Sequence, residues 1–436
     1  MNSQLRQHAR AIWDAAVNAV KPEPLVAAAL VDLGDAIQSA RRIIVLGAGK
    51  AGAAMAKAVE VTLADCLDRV EGIVNVPADA VRPLQRIRLN AARPPATNFP
   101  TAAGVRGAEE MLRLARSAGP DDIALCLLSG GGSALLPAPA FGVLLEDKLA
   151  ATKLLHQCGA TINEMNAVRK HLSAIKGGRL AQAFTGRALF SLIISDVIGD
   201  PLDVIASGPT APDTSTFADS LAILERFGIA DRTPAAVVEH LRRGVRGEIE
   251  ETPKTLPANT RNLMLGNNVK ALAVAQAKAE ALGYRVVNLG SYIEGETRHV
   301  AIVHAGIARS LRDQHVPIAP PVCLLSGGET TVTLCNKPGK GGRNQEFVLA
   351  ALSKLGAMPN IVILSGGTDG EDGPTDAAGA CADAQTLQRA QALGLNGENF
   401  LRRNDAYPFF DATGDLLKTG LTQTNVMDVR VILMGE

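Results

Sequence analysis

The stretch RIIVLGAGKAGAAMAKAVE, residues 42–60, decides the fold class of this chain. Its first part, Ile43 to Leu46, is a short and uniformly apolar run, which predicts a buried β-strand. Gly47, Gly49 and Gly52 follow, and after them comes an Ala-rich run with the composition of a helix. A strand that ends in glycines and continues into a helix is the βα unit from which parallel sheets are built.

The same pattern returns four times further along the chain. Apolar runs that stop in glycine or serine begin at Ile123, Leu189, Val322 and Ile361. Strands of this uniform apolar character are typical of a parallel sheet that is covered by helices on both faces. We therefore predict an α/β protein whose ligands bind beyond the carboxyl ends of its strands, where the glycine-rich and polar loops lie.

The length of the chain predicts two domains. At 436 residues it exceeds the size of one ordinary hydrophobic core. The charged, proline-containing stretch 241–260 has neither periodicity nor apolar content, which is typical of a domain boundary. We predict an N-terminal α/β domain over residues 1–245 and a smaller C-terminal α/β domain over residues 246–436. Two domains imply a cleft, and we expect the active site in it.

Composition and charge exclude several classes of function. The 44 basic and 44 acidic residues give no net charge, so no overall field attracts nucleic acid or an anionic membrane. The N-terminus lacks the apolar core of a signal peptide, and glycines and prolines interrupt the longest uncharged stretch. The six cysteines are scattered without a CxxC pair. We expect a cytoplasmic monomer or homodimer that acts on a small molecule.

The first glycine loop predicts a phosphate site. Gly47, Gly49 and Gly52 satisfy GxGxxG between a strand and a helix, although a plain tight turn would have the same glycines. The next predicted strand, residues 72–77, ends in Val and Pro and lacks the acid that binds the ribose of a nicotinamide cofactor. Lys50 is a point charge suited to phosphoryl oxygens. We predict that Gly47 and Gly49 bind the cofactor and that Lys50 is catalytic.

The second glycine loop is a candidate anion nest. Ser129, Gly130, Gly131, Gly132 and Ser133 offer consecutive backbone amides and two hydroxyls after a predicted strand, and a crowded turn is the alternative. The pattern GxxxxGK[ST] is absent from the whole chain, so any ATP site lies outside the P-loop class.

A helix-like segment over residues 163–181 adds a third candidate contact to the cofactor. Arg169, Ser173 and Lys176 lie near helical spacing and predict one polar face, from which Lys176 would reach the cofactor. His171 has no catalytic partner at a recognisable spacing, and we expect it to be structural.

Two acidic loops are candidate magnesium sites. Asp196 follows the strand that begins at Leu189, where a carboxylate could hold Mg²⁺ near phosphates, and a helix N-cap is the alternative. Asp369 lies in the acidic, glycine-spaced stretch 365–379, which does not match an EF-hand. We predict that Asp369 binds Mg²⁺ or a substrate hydroxyl, and a solvated turn remains the alternative.

The stretch KPGKGGRNQE, residues 337–346, has an anion-binding composition at a predicted helix start. Arg343 would supply a planar fork for a carboxylate or for a developing phosphoryl charge. We predict that Arg343 is catalytic and that Arg343 and Asn344 bind the substrate.

Taken together, these loops closely resemble the class II glycerate kinases, in the same order and over nearly the whole chain. The resemblance rests on LGAGKAG, LLSGGGSALL, NAVRKHLSAIKGGRLA, SDVIGDPLDVIASGPT, GKGGRNQEF and SGGTDGEDGPTDAAGA. It implies a Rossmann-like N-terminal domain before a smaller MOFRL domain, and it places the functional cations of the family on Lys50 and Arg343. Where relatives often have a His-Pro pair, this chain has Arg93 and Pro94.

The resemblance also implies a reaction. ATP and Mg²⁺ would serve transfer of the γ-phosphoryl group to the 2-hydroxyl of D-glycerate, giving 2-phosphoglycerate. The ATP phosphates would rest on the amides of residues 129–133, with Mg²⁺ near Asp196, and Asp196 and Asp369 are the candidate general bases. Some members of the family carry the name hydroxypyruvate reductase, so a nicotinamide-dependent reductase is the first alternative. A non-catalytic sensor of nucleotides or sugar phosphates is the second.

Overall fold

The computed structural model describes residues 2–95, 97 and 99–435. These residues form two compact units. The N-terminal unit is Pro22–Leu265, and the C-terminal unit joins the residues up to Lys21 to those from Gly266 onward. The expected boundary between residues 245 and 246 therefore falls inside the N-terminal unit, and the first helix packs with the C-terminal unit.

Helices and strands alternate through most of the N-terminal unit, as the sequence predicts. The chain starts with α1 (Asn2–Asn18), which belongs to the C-terminal unit. The N-terminal unit contains α2 (Pro22–Asp32), α3 (Gly34–Gln38), β1 (Ile43–Ala48), α4 (Gly52–Thr62), β2 (Val70–Pro77), β3 (Ile87–Arg93), α5 (Ala102–Arg116), β4 (Ile123–Leu128), α6 (Gly132–Leu135), α7 (Leu145–Gln157), α8 (Ile162–His171), α9 (Arg179–Ala183), β5 (Ala188–Ile194), α10 (Phe217–Arg226), α11 (Ala235–Val245) and β6 (Thr260–Gly266).

The elements of the C-terminal unit follow in the same way. They are α12 (Asn268–Ala281), β7 (Arg285–Asn288), α13 (Thr297–Arg309), β8 (Val322–Gly328), α14 (Arg343–Leu355), β9 (Ile361–Gly367), β10 (Gly379–Asp383), α15 (Ala384–Ala392), α16 (Gly397–Arg402), α17 (Ala406–Thr413), β11 (Leu416–Leu417) and β12 (Asp428–Met434).

The sheet of the N-terminal unit has the strand order β3-β2-β1-β4-β5-β6, which is the Rossmann order. Strands β1 to β5 pair in parallel, and Leu128 of β4 lies between Ala48 of β1 and Ile193 of β5. Every residue of β1 and β4 is buried, as their uniform apolar character predicts. The predicted α/β fold is confirmed. The register also brings the loops after β1, β4 and β5 to one edge of the sheet.

The sheet of the C-terminal unit is mixed, whereas the sequence predicts only parallel strands. Its order is β11-β10-β9-β12-β8-β7, and β12 lies antiparallel between β8 and β9. Asp428, the first residue of β12, pairs with both Gly328 and Gly367, which end β8 and β9. An antiparallel strand thus begins at the edge where its two neighbours end.

The core of the N-terminal unit includes two clusters of buried side chains. One surrounds the sheet and includes Leu46, Met111 and Leu128. The other joins α7, α8, α10 and α11 through side chains such as Val168 and Phe217. None of the helices in the described part of the chain is both long and apolar enough to cross a membrane.

Candidate active site

The two glycine loops of the N-terminal unit interlock at the carboxyl edge of the sheet. The amide of Lys50 donates to the carbonyl of Gly130 at 2.8 Å, and the Ser129 hydroxyl accepts from the amide of Ala51 at 3.1 Å. A Cβ atom on Gly49, whose φ is +153°, would lie 1.9 Å from the Ser129 Oγ. The sequence therefore needs glycine here to let the second loop approach the first.

Gly47 lies within β1, where the packing of the strands requires glycine. It is the fifth residue of β1, with a φ of +151°, and a Cβ there would lie 2.1 Å from the carbonyl oxygen of Leu127 in β4. In this structure its glycine character serves the close packing of two strands. The predicted contact between Gly47 and a cofactor stays a prediction.

Lys50 and Arg93 flank the tip of the second loop. A Cβ on Gly131, whose φ is +75°, would lie 3.2 Å from the Nη2 of Arg93 and 3.6 Å from the Cγ of Lys50. Lys50 is exposed, whereas Arg93 is buried at the end of β3, where burial lowers its pKa. The arginine that replaces the His-Pro histidine of relatives thus lies against the candidate anion nest.

Fewer amides of residues 129–133 can face an anion than the sequence suggests. The amide of Ser129 donates to the carbonyl of Ala48 at 3.2 Å, and that of Gly132 donates to the carbonyl of Ser129 at 3.2 Å. Gly130, Gly131 and Ser133 therefore remain as the candidate donors.

Lys176 connects the second glycine loop to a strained turn. It follows the end of α8 at His171, so the predicted helical face that includes Lys176 is wrong. Its Nζ donates to the carbonyl and the hydroxyl of Ser133, both at 2.8 Å, and to the hydroxyl of Ser207 at 3.3 Å. Ala206 and Ser207 have φ values of 52° and 60°, a conformation that costs free energy in residues other than glycine. Lys176 helps to hold this turn in place.

Lys176 and His171 are both buried in the N-terminal unit. Lys176 is only 2% exposed, and burial, followed by repulsion from Lys148 and Arg169, lowers its pKa well below the usual value. His171 is buried, with Nδ1 2.8 Å from the carbonyl of Ala167 and Nε2 2.7 Å from Glu251, in accord with its predicted structural role.

Asp196 lies two residues after the end of β5, at the edge that carries both glycine loops. Its side chain is partly exposed, and no helix of the described chain begins there, so the N-cap alternative is excluded. Among the described residues, no group of three or more His, Cys, Asp or Glu could hold a metal ion. Mg²⁺ bound to phosphates needs only one or two carboxylates, and a partly exposed carboxylate at this edge fits that requirement.

In the C-terminal unit, Arg343 begins α14 and is held by carboxylates. Its Nε and Nη2 donate to Asp428 at 2.7 and 3.0 Å, and Nη1 lies 2.8 Å from Glu329. Although burial lowers it, the charge and hydrogen bonds of Asp428 raise the pKa of Arg343 above the usual range. Three of the five guanidinium N–H groups have these partners, which leaves two that could reach an anion.

Asp428 is the residue of this site that the sequence analysis missed. It is fully buried between Arg343 and Arg430, and it also accepts from the side-chain Nδ2 of Asn344 at 2.8 Å. No sequence motif points to it, because it starts an apolar strand that lies far from the GGRNQE loop in the chain. Only the antiparallel position of β12 brings it there.

Asn344 and Asp369 lie near this cluster. Asn344 is 1% exposed, and its side chain also accepts from Ser365 at 2.5 Å, so substrate contact would require it to rearrange. Asp369 is partly exposed in the turn after β9 and accepts from the amide of Glu371 at 3.2 Å. The predicted roles of both residues stay predictions.

Comparison with known proteins gives the class to which this fold and these loops belong. The sequence model of a domain of unknown function (DUF4147) matches residues 8–242, and that of the MOFRL family matches residues 322–428. The first match alone covers more than half of the chain, so the chain belongs to the DUF4147 family, with a MOFRL domain after it.

Individual relatives make the assignment more specific. A glycerate 2-kinase of Pyrococcus horikoshii is 38% identical over 90% of this chain and 87% of its own. An Agrobacterium vitis relative, provisionally named a hydroxypyruvate reductase, is 42% identical over 99% of this chain and 94% of its own. The crystal structure of a Thermotoga maritima glycerate kinase matches with a TM-score of 0.89 and 34% identity, covering 99% of this chain and 100% of that one. The chain belongs to the glycerate kinase family.

Proposed function

We propose that this protein transfers the γ-phosphoryl group of ATP to the 2-hydroxyl of D-glycerate. The observation that carries the proposal is the pair of interlocked glycine loops, with exposed Lys50 beside Gly131 at the carboxyl edge of a Rossmann-type sheet. Backbone amides and a lysine at such an edge suit phosphates. The family membership supports the kinase reaction and the acceptor.

The residues of the N-terminal unit would bind the donor. The amides of Gly130, Gly131 and Ser133 hold phosphate oxygens, and Lys50 neutralises charge on the transferring group. Mg²⁺, when bound, would neutralise charge on the phosphate oxygens, and Asp196 is the carboxylate that would hold it. Phosphoryl transfer depends on positioning and charge neutralisation more than on covalent chemistry, so this set of groups suffices for the donor side.

Arg343 would bind the glycerate carboxylate or the γ-phosphate through the two N–H groups that Asp428 and Glu329 leave available. The bidentate pair with Asp428 fixes the plane of the guanidinium before any ligand arrives. A preoriented charge loses little freedom on binding, which favours the transition state.

A coupled assay with ATP, Mg²⁺ and D-glycerate tests the proposal. Lys50→Ala and Arg343→Ala should each lower kcat/KM by about 3 kcal/mol, or on the order of a hundredfold, as the loss of one preorganised charge does. Lys57→Ala, which removes an exposed lysine from α4, is the matched control and should leave activity unchanged. Near-normal turnover in both active-site variants would refute the assignment.

A double-mutant cycle tests whether the two cations act on one transition state. If Lys50 and Arg343 contact the same transferring group, the double variant should lose less than the sum of the single losses. Strict additivity would contradict a shared role. The position of phosphorylation follows from the NMR spectrum of the product, and 3-phosphoglycerate would refute transfer to the 2-hydroxyl.

The reductase alternative predicts oxidation of NADH when hydroxypyruvate is added. Against it, β2 ends in Val76 and Pro77 and so lacks an acid for the ribose of a nicotinamide cofactor. We expect no NADH oxidation in the same preparation that phosphorylates glycerate.

A further inference from the structure

Three cations gather behind the second glycine loop. Lys148 lies on α7, Arg169 on α8 and Lys176 in the turn that follows α8. Lys148 is 7% exposed and Lys176 is 2% exposed, while Arg169 is partly buried. The Nζ of Lys148 contacts Leu172, which lies three residues after Arg169 and four residues before Lys176, so the chain brings the three cations together. Repulsion from Arg169, which lowers the pKa of both lysines, accords with this proximity.

Hydrogen bonds fix the positions of the two lysines. The Nζ of Lys148 donates to the carbonyl of Leu172, at the carboxyl end of α8, at 3.2 Å. The Nζ of Lys176 lies against Ser133 of the glycine loop, as described above. The partners of both lysines are neutral oxygens. The side chain of Arg169 forms no hydrogen bond or ion pair with any residue in the described part of the chain, so its guanidinium donors are available.

The absence of carboxylates here contrasts with the next residue along the chain. Lys170 is also buried, but its Nζ lies 2.9 Å from Asp203 and 3.2 Å from Asp213. The nearby Glu251 is likewise paired, with His171. The fold thus supplies acids to one buried lysine and, among the described residues, none to the three-cation cluster.

Such an arrangement is costly in a protein without ligand. Burial, and then repulsion from Arg169, lower the pKa of Lys148 to about 7, so this lysine can partly lose its charge. Arg169 cannot lose its proton in this way. Partly buried charge without a counter-ion is unfavourable, and it persists in sites that later receive an opposite charge.

We propose that Lys148, Arg169 and Lys176 form an anion-binding pocket beside the second glycine loop. Its ligand is a carboxylate or phosphate group, which supplies the negative charge that the protein does not provide. The glycerate carboxylate and the phosphates of ATP are the two sources of such a group. The identity of the ligand rests on the proposed function, whereas the binding of an anion does not.

Isothermal titration with inorganic phosphate, D-glycerate and a non-hydrolysable ATP analogue, each alone, tests the pocket. Lys148→Met and Arg169→Met should both weaken binding of the same anion by about tenfold or more. Loss of D-glycerate binding alone identifies the carboxylate, and loss of phosphate or nucleotide binding identifies the phosphate. Lys153→Met, which removes an exposed lysine from the same helix α7, is the control and should change no affinity.

Thermal unfolding of the same variants completes the test. Because Lys148→Met removes a buried charge that lacks a counter-ion, it should leave the midpoint unchanged or raise it, while it weakens anion binding. Unfolding of either Met variant would mean that the cluster is structural, and the pocket would be wrong. The pocket would also be wrong if the variants bound all three anions within about fivefold of the wild-type affinity, or if the wild type bound none of them. If the wild type had no kinase activity but the variants still lost anion binding, the proposed function would be refuted and the anion-binding pocket would be supported.

Discussion

Gly49 has no room for a side chain, and its substitution tests the interlocking of the two loops. In Gly49→Ala the new methyl group would collide with the Ser129 hydroxyl, which lies 1.9 Å from the Cβ position, and the residue would keep a φ of +153°. We expect a loss of about 2 kcal/mol or more in unfolding free energy, together with a loss of kinase activity. Chemical denaturation and the coupled assay measure the two effects.

Gly306 provides the comparison. It lies exposed on α13, and a Cβ there would meet no atom within 4 Å. Gly306→Ala should therefore stabilise the protein by about 0.5–1 kcal/mol, since alanine is the better helix former. If Gly49→Ala were equally harmless, the close approach of the two loops would be wrong.

Substitution of Asp428 tests the importance of its buried ion pairs. In Asp428→Ala, Arg343 loses its bidentate partner and the buried Arg430 loses its carboxylate. We expect a cost of about 3–5 kcal/mol in unfolding free energy, because a buried charge is left without compensation. Denaturant titration of the variant measures it.

The matched control for Asp428 is Glu329→Gln, which changes the exposed partner of the same arginine. Exposed ion pairs contribute about 0–1 kcal/mol, so this control should be nearly neutral. Equal costs for the two variants would contradict the description of Asp428 as the main partner of Arg343.

A buried acid from the loop after β9 accepts hydrogen bonds from the first turn of helix α14. Asp372 accepts from the amides of Asn344 and Gln345 at 3.0 and 2.8 Å. Burial raises its pKa from the usual 3.8 to about 7, in spite of these amides, which favour the ionised form. Between these two values the folded protein retains a proton that the unfolded chain has lost.

This titration predicts a pH dependence with a definite sign. Since the folded state binds more protons than the unfolded state, the contribution of Asp372 to unfolding free energy falls as pH rises from about 4 to about 7. The fall is at most about 1.4 kcal/mol per pH unit. The difference in unfolding free energy between wild type and Asp372→Asn, measured across this range, isolates the effect, because the other carboxylates are common to both proteins. Parallel curves would show that Asp372 does not titrate here.

The arrangement of helices and strands also shows which parts of the site could be predicted from the sequence. The loops after β1, β4 and β5 were predictable, because parallel strands carry their loops to one edge and each loop directly follows an apolar run. Asp428 was not predictable, since its place depends on the antiparallel insertion of β12 between two distant strands. Lys176 was predicted as a contact on a helical face, but α8 ends five residues earlier, so its contacts with Ser133 and Ser207 are tertiary.

For the molecule as a whole, the sequence did not show to which unit the first helix belongs. The pattern of an amphipathic helix does not by itself identify the core that covers its apolar face. The structure assigns α1 to the C-terminal unit, where Arg6 pairs with Asp383 and Asp415. A boundary drawn from composition alone divides the chain once and cannot find a unit assembled from both ends.

The packing of α1 predicts that substitution of its one tryptophan strongly lowers the stability of the protein. Trp13 is 1% exposed, and its indole nitrogen donates to the carbonyl of Gly366 in β9 at 3.2 Å. Trp13→Ala should lower the unfolding free energy by about 3–5 kcal/mol, because it leaves a cavity between α1 and the sheet of the C-terminal unit. The strands of that sheet lie more than 240 residues further along the chain. Circular dichroism must follow the unfolding, since the variant lacks tryptophan. Gln7→Ala, at an exposed position of the same helix, should change stability by less than about 0.5 kcal/mol. Similar small losses in both variants would mean that α1 is only loosely attached, and the C-terminal unit would then be complete without it.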